Sequence, residues 1–190
     1  ADASSNAPAS TRGDEPAGFD PAIAGDVTAG AEDSSGPMAV GADELAMLAE
    51  AADQMHEELV PMLEALPAHA AGPLDPAQAA MRVDLLEQYA DAVERFANAI
   101  GYVGLMPASE TLLQLSGNLL ALTRAPQAFG QRQRELLMRF PSAWAELFRA
   151  PGAATAQQAL RLLGDAAWAE PAGTLLLDAA RRAFGSIELV

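Results

Sequence analysis

The apolar side chains of this chain recur every three or four residues, and that period constrains the fold more than any other feature. Seven apolar residues between positions 45 and 66, and seven more between positions 83 and 103, follow it. Such spacing places the side chains on one face of an α-helix, which needs a neighbouring element to cover it. The two sets are Leu45, Leu48, Ala52, Met55, Leu59, Met62 and Leu66, and Val83, Leu86, Tyr89, Val93, Phe96, Ile100 and Val103.

The composition agrees with a fold built from helices alone. Apolar residues make up 51% of the chain but aromatic ones only 5%, and alanine and leucine, both good helix formers, dominate the apolar set. Further helices are predicted between Pro107 and Pro126, and at 131–149, 155–163 and 171–184. Because the connections are short, the sequence predicts an all-α antiparallel helical bundle, with a four-helix-bundle-like core and extra C-terminal helices. Trp144 and Trp168 are predicted to be core or interface anchors.

Prolines and polar caps indicate where helices begin, end or bend. Asp75 before Pro76 is typical of an N-cap followed by proline in the first turn, so the second helix is predicted to begin there and to end near Gly104. Pro61 and Pro141 lie inside predicted helices. Since proline removes a backbone hydrogen bond, the first helix is expected to kink or break, and the fourth to bend or split.

Residues 1–40 differ from the rest of the chain. They contain four Pro, five Gly and five Ser, and bulky apolar residues occur only singly. Such a segment buries too little surface to offset the entropy lost on ordering, so we predict a disordered acidic leader. The predicted organisation is therefore a leader at 1–40, a helical bundle at 41–150, and C-terminal helices at 151–190 that pack on the bundle.

The net charge of −15 is concentrated in the first 81 residues, and every basic residue is arginine. An acidic surface of this size repels phosphate backbones, so no nucleic-acid partner is expected. No apolar run approaches the roughly 18 residues that a membrane span requires, so no membrane insertion is expected. The absence of cysteine excludes disulfides and thiol chemistry.

No complete catalytic or metal-binding motif is present. His56 is followed by Glu57 but lacks the second histidine of a zinc-protease helix, and His69 has no partner in its local sequence. Glu57, Glu58 and Glu64 at helical spacing are interpreted as the polar face of the first helix. The sequence therefore predicts no enzyme activity, no metal site and no cofactor.

The end of the second predicted helix resembles a known signalling family. Over residues 94–104 it reads Glu-Arg-Phe-Ala-Asn-Ala-Ile-Gly-Tyr-Val-Gly. On this stretch, residues 42–149 resemble a histidine-phosphotransfer domain, a helical bundle that relays phosphate in two-component signalling. Phe96 and Gly104 match the family pattern. The phosphoacceptor histidine of that pattern falls on Glu94, its lysine on Ala97 and its first glycine on Asn98.

The same stretch, with Asp165-Ala-Ala-Trp-Ala-Glu-Pro171, is similar to the N-terminal region of chemotaxis-type sensor kinases that govern type IV pili in Gram-negative bacteria. The resemblance implies a non-catalytic pseudo-phosphotransfer module that acts as an interaction or scaffolding domain in a cytoplasmic chemosensory pathway of a bacterium. It implies protein partners, such as a response regulator or components of the pilus and chemosensory systems.

The candidate binding site is one edge of the second helix. Its residues are Ala90, Glu94, Ala97, Asn98 and Gly101. Their low relief would let a partner helix approach closely, and the structural alternative is that small residues here permit tight packing inside the bundle. Two other functions stay open: an independent helical adaptor or secreted effector that binds a protein partner, and an enzyme whose site is assembled from scattered carboxylates.

Overall fold

A computed structural model describes residues 38–66 and 74–189 of the chain. These residues form six α-helices, one short 3-10 helix at Pro126–Ala128 and two short strands. In chain order the elements are β1 (Met38–Val40), α1 (Ala42–Ala65), α2 (Pro76–Tyr102), α3 (Met106–Thr123), α4 (Gln131–Arg149), α5 (Ala153–Leu163), α6 (Thr174–Gly185) and β2 (Ile187–Leu189). His69 and most of the predicted leader lie outside the described residues.

The all-α helical bundle is confirmed, and the helices pack in a ring. Around this ring α1 contacts α2, α2 contacts α3, α3 contacts α6, α6 contacts α5, α5 contacts α4, and α4 returns to α1. The two C-terminal helices therefore fill the space between α3 and α4 and help to close the core. This placement follows from the apolar faces of α5 and α6, which bury Ala156, Leu160 and Phe184.

The local signals in the sequence place the helix ends well. The Asp75 side chain accepts a hydrogen bond from the backbone N–H of Gln78 at 2.9 Å, as an N-cap does. At the other end of α2, Gly104 has a φ of 91°, a conformation that favours glycine. The fifth and sixth helices begin at Ala153 and Thr174, each within three residues of the prediction.

Of the outcomes expected at the two internal prolines, a kink or break in α1 and a bend or split in α4, the break and the split do not occur. Both helices run without interruption through Pro61 and Pro141. Pro141 deprives the carbonyl of Leu137 of its partner within the helix. The hydroxyl of Tyr89, on α2, donates to that same carbonyl at 2.6 Å. Tertiary contact therefore replaces the backbone hydrogen bond that proline removes.

The core contains a connected set of aromatic rings centred on Trp144, which is fully buried. Phe96, Phe140, Phe148 and Phe184 surround it, with ring centroids about 6 Å from the indole. These edge-on and tilted arrangements are the ones that aromatic rings favour. Helices α2, α4 and α6 supply these rings, and buried residues of all six helices belong to the same core cluster.

Both tryptophans, expected to be core or interface anchors, are buried in the core, and burial corrects one position of the first apolar set. Trp168 is buried, and its indole N–H donates to the carbonyl of Leu162 at 2.7 Å. Met62 is 37% exposed, whereas Leu63, the next residue, is fully buried. At this position the buried face of α1 therefore falls one residue later than predicted, whereas Leu66, the last residue of the set, is buried as predicted.

The predicted leader, residues 1–40, extends too far along the chain. Its last three residues form β1, which pairs in parallel with β2 at the other end of the described chain. Val40, the last residue of β1, is fully buried. The pairing joins residues more than 140 positions apart in sequence, so no local pattern could have indicated it.

Candidate functional site

The edge of α2 that the sequence singles out is divided by its packing against α3. Ala90 and Ala97 are buried, with 1% and 0% of their surface exposed. The hydroxyl of Ser116, on α3, donates to the Ala90 carbonyl at 3.2 Å. A Cβ added at Gly101 would lie 3.0 Å from the hydroxyl of Ser109. The small residues therefore allow α2 and α3 to approach closely, and Ala90 and Ala97 are not available to a partner.

Glu94 and Asn98 lie beside the contact between α2 and α3, which we call the seam, on the side of α2 that faces solvent. Both are exposed, and Glu94 forms no ion pair with any described residue. Helical spacing puts Asp91 and Glu87 on the same side of α2, and both are exposed as well. The outward side of α2 is thus a row of carboxylates next to α3.

The neighbouring side of α3 is apolar and also exposed. Met106, Leu113 and Leu120 have 54%, 41% and 42% of their surface exposed. Gly117 lies among them, and a Cβ added there would meet no other atom within 4 Å. Glu110 is the only charged residue of α3. Met106, Leu113 and Leu120 recur every seven residues, so they form an apolar stripe along this side of α3.

These two rows form one surface, because α2 and α3 are antiparallel and their seam runs through Gly101–Ser109 and Ala90–Ser116. We call it the α2–α3 face. It consists of Asp91, Glu94 and Asn98 of α2, and Met106, Leu113 and Leu120 of α3. It combines an apolar stripe with an acidic border.

The other polar candidates from the sequence do not converge on a site. His56 is half-buried, and its Nδ1 lies 3.1 Å from the hydroxyl of Ser142. Glu57, Glu58 and Glu64 are exposed along α1. Among the described residues, no three acidic or histidine side chains come together in a way that could hold a metal ion. In the same ranges, no helix is both long and apolar enough to cross a bilayer.

A groove between α4 and α5 has no counterpart among the sequence-predicted sites. Its volume is about 940 Å³. Near one end, Arg132 donates to the Asp165 carboxylate at 2.6 Å. This bond, with one from the backbone of Ala167, holds the pKa of the Asp165 carboxyl below its usual range. Arg132 also lies 3.6 Å from Glu135.

Charged side chains of both signs line the rest of this groove, with the carboxylate of Glu146 towards the other end. Arg139 of α4 and Arg161 of α5 line it, and neither forms an ion pair within the described part of the chain. The sequence carried a signal for this groove. Residues 131–165 hold five arginines and three acids, whereas α1 holds seven acids and no arginine. Counting charged residues over short stretches of the sequence shows that residues 131–165 are rich in arginine whereas α1 is acidic. Only the fold shows which of these arginines line the same groove.

The chain has no detectable match among models of known protein families, among curated proteins or among solved structures.

Proposed function

We propose that this chain is a non-catalytic, phosphotransfer-like interaction module that docks a partner protein on the α2–α3 face. One observation carries the proposal: Glu94, which aligns with a phosphoacceptor histidine, lies exposed on that face. The position is accessible to a partner, but its side chain is a carboxylate. The module therefore keeps the place for docking without the group that would receive phosphate.

The chemistry of positions 94 and 97 supports the absence of phosphoryl relay. Phosphotransfer of this kind requires an imidazole nitrogen as nucleophile and a nearby cation to balance the charge of the phosphoryl group. Glu94 is an anion and repels that group. Ala97, which aligns with the family lysine, is fully buried and brings no charge.

The surface chemistry of the α2–α3 face supports a protein partner. Exposed leucine and methionine side chains provide apolar area, and the carboxylates of Asp91 and Glu94 select for a basic border on the partner. The resemblance to chemotaxis-type kinases supports the proposal that this partner belongs to a cytoplasmic bacterial pathway that controls type IV pili. In that pathway the partner is a response regulator or a chemosensory or pilus component.

The experiment uses receiver domains of bacterial chemosensory response regulators, both phosphorylated and free. We expect a receiver to bind the chain and to transfer no acid-labile label to it. Leu113→Asp should weaken binding about ten-fold or more because it places a charge in the apolar stripe. Leu175→Asp is the matched control, because Leu175 is 85% exposed on α6 and is not one of the residues that form this face.

Glu94→His should accept weak acid-labile label from the phosphorylated receiver that binds. Glu87→His, an exposed position two turns earlier on α2, should accept none. Acid-labile label on the unmodified chain would overturn the non-catalytic assignment. Equal loss of binding in the two leucine variants, or binding of no receiver, would overturn the docking assignment.

A further inference from the structure

The exposed side of α3 is arranged symmetrically about Gly117. Five of its exposed positions lie within about 80° of arc at 3.6 residues per turn. They are Glu110, Leu113, Gly117, Leu120 and Arg124. The two charged residues are each seven positions from Gly117, and the two leucines are four and three positions from it. The two halves of this side therefore match in their apolar residues and are opposite in charge.

Neither of these two charges is balanced by another described residue. Glu110 and Arg124 are exposed, and neither belongs to an ion pair in the part of the chain that the structure describes. Along the helix axis they are about 21 Å apart, at 1.5 Å for each of fourteen residues, which is too far for them to pair with each other. Each charge is therefore available to a second molecule.

A second copy of α3 that crosses the first one antiparallel at Gly117 matches this arrangement. In such a pair a two-fold axis brings residues equally far before and after Gly117 opposite each other. Glu110 of each copy then faces Arg124 of the other, and Leu113 meets Leu120. A Cβ added at Gly117 would meet no atom of its own chain within 4 Å, so nothing inside one copy requires a glycine here. At the crossing, its missing side chain lets the two backbones approach closely.

From these observations we infer that two copies of this chain associate through α3 as an antiparallel, two-fold symmetric pair. Two ion pairs between Glu110 and Arg124 flank the leucine contacts. The charge pattern is complementary to itself, which favours a second copy over other partners. A uniformly basic or uniformly acidic partner would pair with one of the two charges and set a like charge against the other.

The dimer covers part of the α2–α3 face and therefore competes with a partner that docks there. Leu113 and Leu120 belong to both contacts. The carboxylates of Asp91 and Glu94 border the contact in each copy, and their repulsion of the other copy's carboxylates keeps the dimer weak enough to open. The competition rests on the proposed function, whereas the dimer itself does not.

The first test is sedimentation equilibrium of the full chain with no other protein present. As the concentration is raised to about 1 mM, the mean mass should rise from that of one chain towards that of two. One chain has a mass of 19.7 kDa. A mass that stays at this value over the whole range would overturn the inference.

Charge reversal locates the contact. Glu110→Arg and Arg124→Glu should each weaken the dimer about ten-fold or more, because like charges then meet at both ends of the crossing. An equimolar mixture of these two variants should associate about as well as the unmodified chain, because the mixed pair again sets opposite charges against each other. Arg139→Glu is the matched control, at an exposed position of α4, which is not a neighbour of α3 in the ring. A mixture that stays monomeric, or equal weakening in the control, would overturn the inference.

Gly117→Gln separates the dimer from the stability of the single chain. The added side chain meets no atom of its own chain, so the midpoint of urea unfolding at low concentration should not fall. The dimer should weaken about ten-fold or more, because the side chain forces the two helices apart at their crossing. A dimer as tight as that of the unmodified chain would place the contact elsewhere and overturn the inference.

A receiver domain that docks on the α2–α3 face should dissociate the dimer. Binding of a receiver to an intact dimer would overturn the competition. Because sedimentation uses the chain alone, the absence of any receiver that binds would leave the dimer standing. The absence of a dimer would likewise leave the docking assignment to its own test with Leu113→Asp.

Discussion

Helices α1 and α4 pack side by side and each contains a proline, but they accommodate it differently. Pro61 is exposed, and so is Glu57, the residue whose carbonyl loses its helical partner. Water can satisfy that carbonyl. Pro141 is buried, and the carbonyl of Leu137 accepts the hydroxyl of Tyr89 instead. A proline inside a helix is therefore tolerated in the core only where another element brings a donor to the freed carbonyl.

The interiors of the two helices also differ. The buried face of α1 is aliphatic, whereas that of α4 presents Phe140, Trp144 and Phe148 to the centre of the ring. The aromatic rings of α4 meet Phe96 of α2 and Phe184 of α6. Helix α4 thus links distant parts of the chain, whereas α1 mainly covers one side of α4.

The largest expected loss of stability comes from removing the central aromatic side chain of α4. Trp144→Ala removes a fully buried ring that contacts four others, so the free energy of unfolding should fall by about 3–5 kcal/mol. On α1, Met62→Ala should cost less than about 1 kcal/mol, because Met62 is 37% exposed. Urea unfolding followed by circular dichroism measures both. Equal losses would show that Met62 is packed as tightly as Trp144, contrary to its exposure in the structure.

A smaller effect tests the bond between Tyr89 and Leu137. Tyr89→Phe leaves a buried carbonyl without a donor, and the free energy of unfolding should fall by about 1–3 kcal/mol. Pro141→Ala restores the helical N–H, so the same tyrosine change should cost much less in that background. A double-mutant cycle measures the coupling. An unchanged cost in the alanine background would show that the hydroxyl does not replace the missing hydrogen bond.

This bond also predicts a dependence on pH. Burial raises the pKa of the Tyr89 phenol well above its usual range. A group whose pKa is higher in the folded state stabilises the fold fully below its unfolded pKa, about 10 for tyrosine, and loses this contribution as pH rises further. Stability should therefore fall above about pH 10, and Tyr89→Phe should remove part of that fall.

The smallest effect concerns the exposed proline. Pro61→Ala should raise the free energy of unfolding by about 1 kcal/mol. The change restores an N–H donor to the Glu57 carbonyl, and the greater freedom of the unfolded chain offsets part of the gain. The midpoint of urea unfolding should rise with an unchanged slope. A fall instead would mean that the pyrrolidine ring of Pro61 makes stabilising contacts.

The sequence alone determined the helices of this protein. Apolar residues at helical spacing, the Asp75 cap and the glycine at 104 are local features, and a helix depends mainly on residues three or four positions apart. For the same reason α4 was predicted with the bounds that it has in the structure. The all-α fold class also followed, because helices with one apolar face each must pack on one another.

Only the tertiary structure decided which faces of the helices remain exposed to solvent. The sequence could not show that Ala90 and Ala97 are covered by α3 while Glu94 remains exposed, since all three lie on one side of α2. It could not bring Tyr89 to Leu137, pair β1 with β2, or place Arg139 and Arg161 in one groove. Each of these depends on contacts between residues far apart in the chain, and helical period carries no information about which helix packs against which.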